Sequence, residues 1–181
     1  MTRAADTRNR IQRAAVDLFE AHGYAVTSVA EVAERSGVSE MTVYRHFATK
    51  AALAIDDPFD PRIVAAVAAQ PKRLPPIVRV MDALTLAVRE LDEPDDELGS
   101  RRARIVAATP ELIGPIAENN LTTQQLIAEQ LVADGAPQVE SAVAAAAVLG
   151  AITAALIQSA NDGVSLQVAI QRALDTLRAA S

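Results

Sequence analysis

The feature that most constrains this chain is a helical periodicity of apolar residues that recurs along most of its length. Its first instance is the set Ile11, Ala14, Ala15, Leu18 and Phe19. Their spacing matches one buried stripe of an α-helix, and Gly23 follows where such a helix can end. No stretch of useful length alternates apolar and polar residues as a half-buried strand does. The sequence therefore predicts an all-α fold.

Prolines punctuate the later part of the chain. The sequence contains 9 of them, and several stand where a helix would begin, because proline at the first helical position loses no hydrogen bond. Gly114-Pro115 is expected to kink or divide one of the helices. Beyond residue 55 the pattern predicts helices near 61–70, 76–91, 94–108, 110–133, 138–160 and 165–179.

The composition is that of an ordered globular protein, with half of the 181 residues apolar and 22% charged. The absence of cysteine excludes disulfides and thiolate chemistry. The first residues lack the apolar run of a secretory signal, and the longest apolar stretch, 142–157, is shorter than the roughly 20 residues that span a bilayer. We therefore expect a cytoplasmic protein without a membrane segment.

The charge is distributed unevenly. The whole chain has a net charge of −6, which by itself argues against a nucleic-acid-binding protein. Residues 1–50, however, carry 7 basic and 6 acidic side chains, so that the excess of acid lies entirely in residues 51–181. The N-terminal segment can therefore approach phosphate while the acidic remainder faces away from it.

The segment 27–47 carries local signals for two short helices joined by a tight turn. Ser28 with Glu31 fits a capping box, although Thr27 can serve as the cap instead. Gly37 can adopt the positive φ that ends the first of these helices. The pattern is typical of a helix-turn-helix.

The second of these helices has a predictable orientation. Ser39 is placed to cap it. At about 100° per residue, Val43 and Phe47 point inward, and Met41 and Arg45 lie nearly opposite. The outward face therefore has no apolar partner within its own domain.

The side chains on and beside that face suit DNA. Arginine can bind guanine O6 and N7, methionine can contact a thymine methyl group, and Glu40 can accept from cytosine N4. The hydroxyls of Thr42 and Tyr44 can reach phosphate, as can Lys50 and the N–H groups at the helix opened by Thr27 and Ser28. Arg3, Arg8 and Arg10 can form an arm along the backbone or in the minor groove.

These residues together resemble the TetR family of bacterial regulators. The resemblance covers about residues 7–53, in particular Gly23-Tyr24, Thr27-Ser28-Val29, Val32-Ala33, Gly37-Val38-Ser39, Thr42-Val43-Tyr44-Arg45-His46-Phe47 and Lys50. It implies a homodimer with two domains per chain, here residues 1–50 as a three-helix DNA-binding domain and 51–181 as a larger domain for effector binding and dimerisation. The DNA-binding domain of each chain, residues 1–50, is called the head below. The two heads of the dimer would fit successive major grooves of an inverted-repeat operator in double-stranded DNA.

The resemblance also implies roles for single residues. Tyr44, His46 and Lys50 match phosphate-contacting positions of the family, and Glu40, Met41, Thr42 and Arg45 match base-reading or neighbouring positions. Ala30 and Ala51 depart from the longer polar residue and the glutamate frequent at their positions. The predicted DNA-binding residues are Thr27, Ser28, Ser39, Glu40, Met41, Thr42, Tyr44, Arg45, His46 and Lys50.

The effector site is less defined by sequence. Arg101, Arg102 and Arg104 form the densest basic cluster outside the head and can face an anionic ligand, with Asn120 and Gln124 as further polar groups. The alternative is an exposed face in which Glu97 pairs with Arg101. The chain is also similar to an actinobacterial branch of the family linked with the mycofactocin pathway or acyl-CoA sensing, which implies an acyl-CoA or another anionic or hydrophobic effector.

The last two predicted helices are candidates for a dimer interface. Val143, Ala147, Gly150, Ala151, Ala154 and Ala155 leave room for another backbone, and Leu166, Ile170, Ala173, Leu174 and Leu177 form an apolar stripe. One of the two stripes can instead be buried within the subunit.

Other functions are less favoured by the residues. Both histidines, His22 and His46, lie in the predicted head, so neither a catalytic triad nor a histidine metal site is expected, and no enzyme activity or cofactor is predicted. Asp56, Asp57 and Asp60 lack the spacing of a calcium loop. The remaining alternative is a helical protein-interaction module with a vestigial helix-turn-helix, controlled by a protein partner.

Overall fold

The computed structural model describes residues 3–56 and 60–180, and these contain only helices and the turns between them. The helices are α1 (Arg3–His22), α2 (Val29–Ser36), α3 (Glu40–His46), α4 (Lys50–Ile55), α5 (Asp60–Ala69), α6 (Pro76–Arg89), α7 (Glu93–Ala108), α8 (Ile113–Ala133), α9 (Gln138–Ser159) and α10 (Leu166–Ala180), with a 3-10 turn (Pro110–Leu112) before α8. The all-α prediction is confirmed, and most helix ends lie within a few residues of the predicted ones.

The N-terminal helices α1 to α4 pack around one apolar cluster. Its members include Ile11, Phe19, Val32, Val43, Phe47 and Leu53. Local signals set the helix ends: the Ser28 hydroxyl accepts from the Glu31 N–H at 3.2 Å, and the Glu31 carboxylate accepts from the Ser28 N–H at 2.7 Å. Gly37 ends α2 with a φ of 66°. Ser28, rather than Thr27, is therefore the cap of α2.

Helices α5, α6, α8, α9 and α10 form a second apolar cluster. Its fully buried members include Val67, Val80, Ile127, Leu131, Val148 and Leu174. Helix α7 and the 3-10 turn join the two parts, because Leu98, Ile105 and Leu112 are buried in the first cluster. A domain boundary between residues 50 and 51 stays a prediction, and α4 contributes its buried residues to the cluster of the head.

Two expectations about helix starts require correction. The predicted helix over 110–133 is divided, but the break falls before Gly114-Pro115: a 3-10 turn ends at Leu112 and α8 begins at Ile113. Pro115 is tolerated in the first turn because the N–H groups there have no partner within the helix. Arg8 does not belong to a free arm, since α1 begins at Arg3 and the Arg8 guanidinium lies 4.4 Å from the centre of the Phe47 ring.

Helix α9 is longer than its apolar stretch suggested. It has 22 residues, and it is the one helix among the described residues long and apolar enough to cross a membrane. The helix agrees with the predicted range 138–160 and extends beyond the apolar stretch 142–157 at both ends. One of its faces, with Ala144, Val148 and Ile152, is buried against the rest of the bundle, and 33% of its most apolar segment is buried in all.

The apolar stripe of α10 is buried within the subunit. Ile170, Ala173 and Leu174 are buried in the second cluster, and Leu166 and Leu177 pack against it. Of the two stripes proposed from the sequence, α10 therefore provides core, and α9 retains an exposed apolar face.

A buried ion pair closes the end of the bundle away from the head. The Arg79 side chain is 1% exposed, donates to the carbonyl of Val67 at 2.9 Å and pairs with Asp134. Lys72 approaches the other carboxylate oxygen of Asp134 at 2.8 Å. The group ties α5, α6 and the end of α8 together.

Acid is expected to weaken the group formed by Arg79, Asp134 and Lys72, which is called the clamp below. Lys72, Arg79 and Gln130 hold the pKa of Asp134 well below its usual range. A carboxyl group whose pKa is lower in the folded state stabilises the fold above its unfolded pKa of about 4, and that stability is lost as the pH falls below this value. Urea midpoints between pH 6 and pH 3 should therefore fall more steeply for the wild type than for Asp134→Asn. Parallel pH profiles would contradict the prediction.

Candidate functional site

Helix α3 presents one face to solvent and buries the other. Val43 and Phe47 are each 1% exposed, whereas Met41 is 77% exposed and Tyr44 is 49% exposed. Arg45 is also exposed. The orientation predicted from helical periodicity is confirmed, and a short helix thus carries exposed arginine, methionine and tyrosine side chains on a rigidly packed support.

The start of α3 is held by a local hydrogen-bond network. The Ser39 hydroxyl accepts from the Thr42 N–H at 3.2 Å and lies 3.0 Å from the Thr42 hydroxyl. Both residues and the exposed Glu40 lie on the first turn of the helix. Ser39 and Thr42 therefore orient α3 and retain oxygen atoms at its solvent-facing end.

Lys50 is the first residue of α4 and lies against the segment that precedes α2. Its ammonium donates to the Ala25 carbonyl at 3.1 Å and lies 4.4 Å from the centre of the Tyr24 ring. Burial lowers the pKa of Lys50. These two contacts hold the Lys50 ammonium in place, so the side chain is already fixed in one rotamer.

Thr27 and Ser28 occupy different environments at the start of α2. Thr27 is 2% exposed and its hydroxyl donates to the Gly23 carbonyl at 2.9 Å, so its side chain faces the protein and not a ligand. Ser28 is exposed, but its hydroxyl donates to the Glu31 carboxylate at 2.8 Å. The pKa of that carboxylate is lowered by the hydrogen bonds from the backbone and side chain of Ser28.

His46 is partly buried beside two arginines. Burial, followed by the charges of Arg45 and Arg8, lowers the pKa of His46 below its ordinary value of 6.5. The lowered pKa favours the neutral imidazole, which can donate one hydrogen bond without adding charge to the face.

A second candidate site is an apolar cavity among α4 to α10. Its volume is about 170 Å³, somewhat more than the roughly 150 Å³ of an apolar cavity that admits benzene. The lining is mostly aliphatic, with Leu84, Val88, Val106, Ile152 and Leu156 among its residues. A cavity of this kind suits an apolar small molecule.

The residues predicted for the effector site separate in the structure. Arg102 and Asn120 line the cavity, and Asn120 donates to the Thr153 hydroxyl at 2.9 Å. Arg101 lies outside it and pairs with Asp17 and Glu20 of α1, at 2.7 and 2.6 Å.

Arg104 also pairs with Glu20, at 3.4 Å, and Gln124 is not among the lining residues. The predicted basic cluster is thus split, because successive residues of a helix point in different directions.

The sequence alone did not predict most of the residues that line the cavity. Its aliphatic residues carry the same periodic signal as any core position, and they come from helices far apart in the chain. Only the polar residues stood out from that pattern. Asn119, which the sequence offered beside Asn120 as a possible polar group of the pocket, also lines the cavity, whereas Thr153 was missed because nothing local distinguishes it from other helical polar residues.

The described residues contain no group of three or more side chains suited to a metal ion. Asp57 and the side chain of Asp60, which were considered with Asp56 for such a site, lie outside the described residues. His22 and His46 are both in the head.

Helix α3 is capped, faces solvent and follows a tight turn, and the other helices of the N-terminal cluster hold it in place. This is the arrangement of a helix-turn-helix DNA-binding protein. Residues 11–56 match the family model of bacterial regulatory proteins of the tetR family, and residues 74–181 match the model of the MftR C-terminal domain. The chain belongs to the TetR family of transcriptional regulators and carries a C-terminal domain of the MftR type.

Named relatives agree with this family. The chain is 30% identical over 113 residues to the mycofactocin biosynthesis transcriptional regulator MftR of Mycobacterium tuberculosis, an alignment that covers 61% of this chain and 56% of that protein. It is 27% identical over 187 residues to the HTH-type transcriptional regulator TcmR of Streptomyces glaucescens, covering 95% of this chain and 83% of that protein. The crystal structure of TylP, a TetR regulator from Streptomyces fradiae, has a TM-score of 0.55 and 26% identity, and the match covers 98% of this chain and 80% of TylP.

Proposed function

We propose that this protein is a ligand-responsive repressor that binds an inverted-repeat operator as a homodimer. The observation that carries the proposal is the exposure of Met41, Tyr44 and Arg45 on α3 while Val43 and Phe47 anchor the same helix. An exposed helix of this kind can enter a major groove with its support resting on the backbone. The net acidity of residues 51–181 keeps the rest of the chain away from DNA.

Within this proposal, the face divides into base-reading and phosphate-contacting groups. Glu40, Met41, Thr42 and Arg45 read bases, with Arg45 binding guanine. Tyr44, His46 and Lys50 contact phosphates. Ser39 and Ser28 contribute through the helix starts that they cap. Thr27 acts through its backbone, because its hydroxyl is buried and occupied.

The homodimer is supported by a continuous apolar face on α9. This exposed face consists of Val139, Val143, Ala146, Gly150, Ala154 and Ile157 and carries no charge. Leu121 and Val132 extend it onto the neighbouring α8. A second copy related by a two-fold axis would cover both helices and form a four-helix bundle, with the small residues allowing close approach.

Two substitutions separate base reading from phosphate contact. Arg45→Ala is expected to weaken specific binding by about 1–3 kcal/mol and to relax the preference at one base pair, because a bidentate contact to guanine is lost. Lys50→Ala is expected to weaken binding to all sequences alike and to reduce the salt slope by about 1. Fluorescence anisotropy on specific and random duplexes across a salt series measures both. If Lys50→Ala left the salt slope unchanged, Lys50 would not be a phosphate contact.

The regulatory role is tested on the DNA upstream of the protein's own gene. Salt-dependent binding of the wild type to that duplex, with protection of two half-sites one helical turn or a multiple of it apart, supports the operator proposal. A protein that binds no duplex but retains a protein partner on α8 and α9 would favour the interaction module instead. Derepression on addition of a ligand distinguishes a repressor from an activator.

The cavity is the proposed effector site, and the protein is proposed to act in the cytoplasm without catalysing a reaction. The ligand favours a separation of the heads that no longer matches the major grooves, which requires a coupling of only about 1–3 kcal/mol. The position of both histidines in the head supports a binding function over an enzymatic one. Native mass spectrometry of the purified protein can detect a co-purified effector.

A further inference from the structure

The lining of the cavity is nearly without charge. Among the described residues that line it, Arg102 is the only charged one, and the side chains of Asn119, Asn120 and Thr153 are the only other polar ones. The Arg102 guanidinium is engaged within the protein: its Nε and Nη2 donate to two backbone carbonyls of α4, at 2.9 and 2.6 Å, and the residue has a further partner besides. The described lining therefore offers a ligand no charge with which to pair.

A charged ligand would lose its hydration in this lining without gaining a partner. Transfer of an ionised carboxylate or ammonium into apolar surroundings costs far more than transfer of a neutral polar group, unless an opposite charge compensates it. The described lining contains no aspartate or glutamate that could pair with an ammonium, and its one arginine already donates to backbone carbonyls. The electrostatics of the cavity therefore favour an uncharged ligand.

The amide of Asn120 has an orientation that its neighbour determines. The Thr153 hydroxyl donates to the Leu149 carbonyl at 2.9 Å, so its oxygen can only accept from Asn120. The Asn120 Nδ2 accordingly donates to that oxygen at 2.9 Å. This orientation leaves the Asn120 Oδ1 as an acceptor that has no hydrogen-bond partner among the described residues.

Asn119 adds a second amide beside Asn120 in the lining. Its backbone carbonyl accepts from the Thr123 hydroxyl at 3.2 Å, but its side chain forms no hydrogen bond with any residue that the structure describes. The two asparagines together present both donors and acceptors to the cavity. A ligand that covers them must supply hydrogen bonds in return, because burying a polar group without a partner is costly.

The cavity size limits the apolar part of the ligand. A volume of about 170 Å³ is slightly larger than that of an apolar cavity that admits benzene, so it encloses a body of about six carbons but not a coenzyme. We propose that the cavity binds an uncharged molecule of this size with one group, such as a primary amide, that both donates and accepts hydrogen bonds. The inference rests on the proposed function, since it names the chemical class of the effector for the same cavity.

Probes of nearly equal shape separate charge from hydrogen bonding. Heptanamide, heptanoate and octan-2-one share a hexyl chain and a carbonyl group, and they differ in the amino group, charged oxygen or methyl group attached to that carbonyl. Heptylammonium is the cationic analogue, and heptanoyl-CoA is the conjugated form. In calorimetric titration of the full-length protein at neutral pH, heptanamide is expected to bind at least about 10-fold more tightly than heptanoate, because the carboxylate would be buried without a counter-charge.

Asn120→Leu replaces the amide by an apolar side chain of similar size. The variant is expected to lower the ratio of heptanamide to octan-2-one affinity about 5- to 20-fold, because the ketone has no proton to donate to Oδ1 and loses less. Gln124→Leu is the matched control, since Gln124 lies on the same helix but outside the lining. It should leave the ratio unchanged.

Three results would overturn the inference. They are no binding of heptanamide to the wild type, binding of heptanoate, heptylammonium or heptanoyl-CoA at least as tight as that of heptanamide, and an unchanged heptanamide to octan-2-one ratio in Asn120→Leu. The first two need no variant, so the cavity can be tested even if Asn120→Leu does not fold.

Anisotropy on the operator duplex with the same wild-type preparation tests the proposed function separately. A protein that binds heptanamide but no duplex would refute the proposed regulator and leave the ligand class of the cavity intact. A protein that binds the duplex but prefers heptanoate to heptanamide would refute the ligand class alone.

Discussion

The Val143→Glu variant is expected to be a monomer and to bind its operator about 100- to 10,000-fold more weakly than the wild type. Val143 is 59% exposed in the single chain and lies on the uncharged face of α9. In the proposed dimer, each glutamate would be buried against an apolar surface without a partner, which disfavours association. The two heads then no longer bind one duplex together, and the effective concentration of the second head is lost. Light scattering and anisotropy measure the two effects.

A matched substitution on another helix controls for the added charge. Val168 on α10 is 45% exposed, so that Val168→Glu introduces the same charge at a similarly exposed valine on another helix. It is expected to remain dimeric and to bind DNA like the wild type. A dimeric Val143→Glu protein, or a monomeric wild type with full DNA affinity, would place the interface elsewhere.

Arg79→Ala is expected to lower the free energy of unfolding by about 3 kcal/mol. The substitution removes a fully buried side chain that bonds to Val67 and pairs with Asp134, and it leaves a carboxylate with only 8% of its side chain exposed. Urea unfolding of the wild type and the variant measures the difference. DNA affinity of the folded variant should be unchanged, because the clamp lies at the end of the bundle away from the head.

Lys72 provides the control, since it binds the same carboxylate from solvent. Its side chain is 64% exposed, and an exposed ion pair contributes about 1 kcal/mol or less. Lys72→Ala should therefore destabilise far less than Arg79→Ala. The double variant Arg79→Met/Asp134→Leu is expected to recover most of the loss, because neither charge of the buried pair remains. Equal losses for Lys72→Ala and Arg79→Ala would contradict a special role for burial.

The head was predictable from sequence because its determinants are local. The cap at Ser28, the left-handed Gly37 and the cap at Ser39 each act within four residues, and together they define α2, the turn and the start of α3. The periodicity of α3 then separates inward Val43 from outward Met41 without any tertiary information. The prediction for Thr27 was less complete, because its burial depends on the packing of α1 against α2.

The partners of charged residues were not predictable in the same way. Sequence spacing suggested Glu97 for Arg101, whereas the guanidinium pairs with residues of α1 more than 80 positions earlier. The contact between Arg102 and α4 spans 48 residues, and that between Arg79 and Asp134 spans 55. A long side chain contacts whichever oxygen the packing of the helices brings near it. That partner cannot be predicted from the residues close to it in sequence.

What the sequence determined by itself is therefore the all-helical class, most of the helix limits, the helix-turn-helix and the outward face of α3, since these follow from caps, glycine conformations and residue spacing. What only the tertiary structure decided is which stripe becomes core and which stays exposed, which arginine reaches the cavity, and where each buried charge finds its partner. The physical reason is that periodicity gives the direction of a side chain from its own helix axis, whereas the neighbour it meets is set by how the helices pack.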